Sequence, residues 1–159
     1  MVEEGAELGH LSDARVMVRG TALLLLVCVS MSLPAGWASA AIRIAKIQYD
    51  PPGTDTGTNA HLNKEFVVIT NTGGCAVRLD GWVLKDAAGH RYTFGPFRLR
   101  AGKSVTIHTG RGADDRNDLY WGPKYYIWNN DGDTATLKNA AGKTVDSCRY
   151  PGGGTAVTC

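Results

Sequence analysis

From Ile42 onward the apolar residues fall into short runs rich in β-branched and aromatic side chains, with glycine or proline between them. Punctuation at roughly 8–12-residue intervals predicts short strands in an all-β sandwich or barrel, and no segment carries a helical period. IRIAKIQY, Ile42 to Tyr49, shifts its apolar phase from Ile42 and Ile44 to Ile47 and Tyr49. That shift predicts a bulge near Ala45. The loop DPPGTDTGTNAHLNK is rich in turn formers and leads into EFVVITN, a near-continuous apolar strand expected to be covered on both faces. VRLDGWVLKD follows, with Leu79, Trp82 and Leu84 expected in the core. In FRLRAGKSVTIHTG a tight turn is expected at Ala101-Gly102-Lys103, after which Val105 and Ile107 alternate with Ser104, Thr106 and His108. Such alternation buries one face. GDTATLKN and KTVDSCRY are expected to pair around Asn139-Ala140-Ala141-Gly142, with Ala135 and Leu137 inward, for about nine short strands in all.

LYWGPKYYIWNNDGDTATL, Leu119 to Leu137, holds five aromatic residues beside two asparagines and two aspartates. It reads either as a ligand platform with acids beside it or as a hairpin. Tyr125 to Trp128 alternates as a strand does, and Asp131-Gly132 is a preferred type I′ pair. Asn and Asp side chains also bond nearby backbone N–H groups in turns. The acidic cluster is therefore read first as a turn.

Residues 1–40 differ in kind. Arg15 and Arg19 precede the apolar run TALLLLVCVSMSL, and Ala38-Ser39-Ala40 is a small-x-small site. This predicts a secretory signal peptide cleaved after Ala40, with Met17 as an alternative true start, and hence a secreted, extracellular protein. A retained anchor is the competing reading, but the run is shorter than the ~20 residues that span a bilayer. The mature part, residues 41–159, is expected to form a single domain with no membrane span. Fifteen Lys and Arg against eleven Asp and Glu give it a net charge of +4. That attracts anions weakly and lies below the charge of a dedicated nucleic-acid binder.

Three cysteines remain in that part. Cys148 and Cys159 bracket RYPGGGTAVT, and a disulfide between them would pin the C-terminal tail. Cys75 is then left over, as a free thiol or as the link in a dimer of an otherwise monomeric protein.

The blocks IRIAKIQYDPPGTDTGTNAHLNKEFVVITNTG, LDGWVLKDAAGHRYTF, LRAGKSVTIHTGRG, LYWG and WNNDGDTATLKNAAGKTVDSCRY, taken in order, resemble the lamin tail domain family, and in particular its small secreted bacterial branch. The resemblance covers about Ile42 to Tyr150. It implies an immunoglobulin-like β-sandwich in which Trp82 is a core strand residue. It also implies a recognition module, chromatin- and protein-binding in nuclear lamins and an extracellular accessory in bacteria. It carries over no catalytic residue, and such a fold says little of function by itself.

Few residue patterns point to chemistry. Ser104 and Ser147 have no nucleophile context, Glu65 is the one glutamate after the leader, and His61, His90 and His108 lack zinc-ligand spacing. No enzyme activity and no cofactor are expected. Calcium candidates are Asp50, Asp55 and Asn59 in one loop and Asp114, Asp115, Asn117 and Asp118 in another, although Asx-turns explain both. A candidate binding face combines Arg98, Arg100, Lys103, Arg111 and Arg116 with Tyr120, Trp121 and Tyr125. The expected partner is extracellular: nucleic acid, cell-envelope glycan or protein. The competing class is a structural or assembly module of the cell surface with no such ligand.

Overall fold

The computed structural model describes residues 42–159. The expected leader, its cleavage site and the alternative start at Met17 lie outside the described residues. The described chain forms β1 (Ile42–Gln48), α1 (Asn59–Leu62), β2 (Phe66–Asn71), β3 (Val77–Arg78), β4 (Val83–Lys85), β5 (Arg91–Thr93), β6 (Arg98–Leu99), β7 (Ser104–His108), β8 (Asp118–Tyr120), β9 (Asp133–Lys138), β10 (Thr144–Tyr150) and β11 (Ala156–Thr158). A five-stranded sheet in the order β11-β1-β2-β7-β8 packs on a four-stranded sheet in the order β10-β9-β4-β5, and β3 and β6 form a separate ribbon. This is an all-β sandwich of immunoglobulin-like type with eleven strands rather than nine. The additional strands are two- and three-residue pieces too short to leave a pattern in sequence.

The period-two pattern decides which side chains meet between the sheets. Ile47, Val67, Ile69, Val105 and Ile107 project from the five-stranded sheet, and Leu84, Ala135 and Leu137 from the four-stranded one; all are essentially inaccessible. Burying each large aliphatic side chain contributes about 1.5–3 kcal/mol. Trp82 is half-buried and packs against this core, whereas Trp128 lies wholly inside it.

In β1 the pairing register with β2 shifts between Ile44 and Lys46, the bulge the phase change called for. The shift frees the Ile44 N–H, which donates to Asp146 Oδ2 on β10 at 2.7 Å and so ties the two sheets together. The same edge carries the Cys148–Cys159 disulfide, with Cα atoms 5.8 Å apart. Cys148 belongs to β10, while Cys159 follows β11 and its N–H donates to Ala45 O. The bond is therefore a clasp between sheets as well as a pin for the tail. Cys75 is also disulfide-bonded, and no described cysteine is free, so the free-thiol reading of Cys75 is withdrawn.

Three further expectations are corrected. A helical turn, α1, stands in the loop read as purely irregular; Thr58 caps it, its hydroxyl accepting from His61 N–H. The outer face of β2 is only half-buried. The Ala101-Gly102-Lys103 turn forms as expected and joins the β3–β6 ribbon to the five-stranded sheet, since β6 pairs with β3 while β7 pairs with β2. Finally, Tyr125 to Trp128 forms no strand. A loop there turns the neighbouring residues Ile127 and Trp128 inward, without alternation, and the Asn129–Gly132 turn opens β9 without a preceding strand.

Candidate basic groove

The Ala101-Gly102-Lys103 turn borders a concavity. Gly102 adopts a positive φ of 65°, which permits the chain to leave the β3–β6 ribbon and enter the five-stranded sheet. Asn71, fully buried at the end of β2, fixes this corner. Its side-chain amide donates to Leu99 O at 3.1 Å and Cys75 O at 2.8 Å, its N–H donates to Lys103 O, and its own carbonyl accepts from Gly102 N–H. Asn71→Ala should lower stability by about 2 kcal/mol, since it strands buried carbonyls. A denaturant titration that leaves the midpoint unchanged would contradict this.

The opposite wall follows from chain direction. β8 runs parallel to β7, so the intervening loop must carry the chain back to the end where β7 begins. It thereby sets Arg116 and Asn117 beside Lys103 and Ser104, and Asn117 O accepts from Thr106 N–H. The result is a groove of about 760 Å³. Four of its eight lining residues are the cations Arg98, Arg100, Lys103 and Arg116, and none is acidic. Among the described residues none of these four makes an ion pair. Arg78 stands directly opposite Arg98 in register, an unfavourable placement of like charges. Its guanidinium is engaged by Asp80, and that hydrogen bond holds the Asp80 carboxyl below the usual range.

A family model described as Lamin Tail Domain matches residues 37–152. The chain belongs to the lamin tail domain family. No curated protein matches it. For this lamin tail domain, the groove brings together four of the five cations expected on one face and separates them from the aromatics.

Arg111 lies at the far end of the β7–β8 loop, its backbone held by Asn59 and Asn63. Tyr120 stacks on His108 with ring centroids 5.1 Å apart, and its other side is so close to Gly112 that an added Cβ would sit 2.3 Å from the ring. Trp121 packs edge-on to Trp128 in the core, and Tyr125 is exposed beside His90. One carboxylate oxygen of each aspartate in the second loop has a local partner. Asp115 Oδ1 accepts from the N–H groups of Asn117 and Asp118, Asp114 Oδ1 accepts from Tyr120 N–H, and Asp118 Oδ1 meets His108 Nε2 at 2.9 Å. In the first loop, Asp50 accepts from Asn130 and Asn59 engages Arg111.

The buried roles of two polar residues were not read from the sequence. Asn71 is hidden in EFVVITN as one more strand residue, and only its position before a Gly-Gly turn marks it. Glu65 is fully buried, and its Oε1 accepts from Thr109 Oγ1 at 2.6 Å and Ile127 N at 2.8 Å.

Proposed function

We propose that this lamin tail domain is a secreted, non-catalytic recognition module that binds an extracellular polyanion in the basic groove. The observation that carries the reading is the convergence of Arg98, Arg100, Lys103 and Arg116 on one concavity with no carboxylate in its lining. Like charges gathered at one corner repel one another, and a bound anion lowers that cost. Arg98 and Arg100, two residues apart, stand about 6.6 Å apart along the chain, which suits successive charges on a linear polymer. The Cys148–Cys159 disulfide fits an oxidising, extracellular setting. No helix among the described residues is long and apolar enough to cross a membrane.

The test is binding of heparin and of a duplex DNA probe as salt is raised. If all four cations contact phosphates, affinity for duplex DNA should fall about 100-fold between 50 and 200 mM salt. Arg100→Glu/Lys103→Glu, at two exposed positions, should weaken both ligands at least tenfold without moving the melting temperature. Absence of binding at low salt, or unchanged affinity in the variant, refutes the groove as a polyanion site.

A further inference from the structure

We infer that the groove takes an acidic polysaccharide in which charged sugars alternate with uncharged ones. The inference rests on the polyanion reading above and adds the class of polymer.

It comes from a second concavity of about 420 Å³ that shares Arg98 and Arg116 with the first. The two adjoin at those residues, as halves with different linings. Beyond Arg98 and Arg116 the lining changes to Pro96, Phe97 and Leu119 with Asp114 and Asp115. The carboxylates are held there by the turn: each uses Oδ1 to accept backbone N–H groups, and no described residue bonds either Oδ2. The Asn117 and Asp118 N–H groups keep Asp115 ionised, with its carboxyl below the usual range. Asp114 lies close enough to Tyr92 to add to the burial that pushes its hydroxyl up to about 12.

An ionised carboxylate accepts hydrogen bonds and donates none. The second half therefore suits sugar hydroxyls, which form short charge-assisted bonds to carboxylate oxygens, and its apolar wall suits the C–H face of a ring. The same carboxylates repel a second anion. A polymer charged at every unit, such as a polynucleotide or a polyuronate, must place an anion against Asp114 and Asp115 whenever its neighbour sits among the arginines. A polymer charged at alternate units places a neutral sugar there. The aromatics that would stack bases lie outside both concavities, apart from Tyr92 and Phe97, and Tyr92 is itself buried.

The experiment measures affinity at 50 mM salt for hyaluronan, oligogalacturonate and oligothymidylate, each ten units long, with dextran as the uncharged control. Hyaluronan is expected to bind at least tenfold more tightly than either fully charged chain, despite carrying fewer charges. Asp114→Asn and Asp115→Asn, which retain the acceptor used by the turn, should shrink that gap at least fivefold by strengthening the fully charged ligands. Equal or tighter binding of oligothymidylate or oligogalacturonate, unaltered by the Asn variants, overturns the alternating-glycan inference and leaves the polyanion reading intact. If none of the three anionic chains binds, both readings fall.

Discussion

Glu65→Gln is expected to remove a loss of stability of about 3 kcal/mol that the unsubstituted protein suffers between pH 4.5 and 7. Glu65 lies just ahead of β2 and has no accessible surface. Its Oε1 gathers the Thr109 hydroxyl after β7 and the Ile127 N–H of the crossing loop, with Trp128 N–H farther off at 3.4 Å. Its Oε2 has no partner among the described residues. Burial raises the carboxyl from 4.5 to about 7 against the opposing pull of those donors, and Asp55 adds slightly to the rise. The hydroxyl of Tyr150, also buried and without a partner, is pushed upward by burial first and then by the nearby charges of Asp133 and Glu65. The folded protein therefore holds a proton on Glu65 that the unfolded chain releases near 4.5. The stabilisation is complete below that pH and disappears as pH rises through about 7, because in this window the native state binds more protons. Glutamine keeps the acceptor oxygen and cannot ionise. Urea titrations at pH 4.5, 6 and 7.5 should give curves that diverge for the two proteins. Parallel curves would mean that Glu65 does not change protonation in this range.

How far the sequence disclosed this depends on which interaction each residue serves. Val105 and Ile107 were legible because alternation reports burial on one face, and the Ala45 bulge because a change of phase has few other causes. The Cys148–Cys159 bond was legible from a loop that needed an anchor, though its role as a clasp between sheets depends on pairing that no local pattern encodes. Tyr125 to Trp128 misled because a loop can turn two neighbouring residues, Ile127 and Trp128, inward, which a strand cannot do toward one face. The cations were found, but their grouping was not. Arg111 and Arg116 are five apart in sequence, yet parallel β7 and β8 send them to opposite ends of one loop. Glu65 carried no signal, since a lone glutamate before an apolar strand ordinarily faces water.

Opening the Cys148–Cys159 bond, by the double substitution Cys148→Ala/Cys159→Ala, should cost about 3 kcal/mol, the value expected for a loop of this length. For a domain of this size that lowers the melting temperature by about 10 °C or more. Chain entropy alone would predict a uniform loss. The position of the bond predicts an uneven one. β11 is a three-residue edge strand whose pairing with β1 spans Lys46 to Gln48, and only Cys159 extends that contact to Ala45. Once released, β11 should open before the rest, so hydrogen exchange should quicken most at Ala156 to Thr158. The groove sits beside β7 and β8, at the opposite edge of the same sheet. Heparin affinity at a temperature where the variant remains folded should therefore stay within about twofold, or about 0.4 kcal/mol. An unchanged melting temperature would deny the clasp its role. A collapse of binding in a folded variant would show that the far edge of the sheet governs the groove.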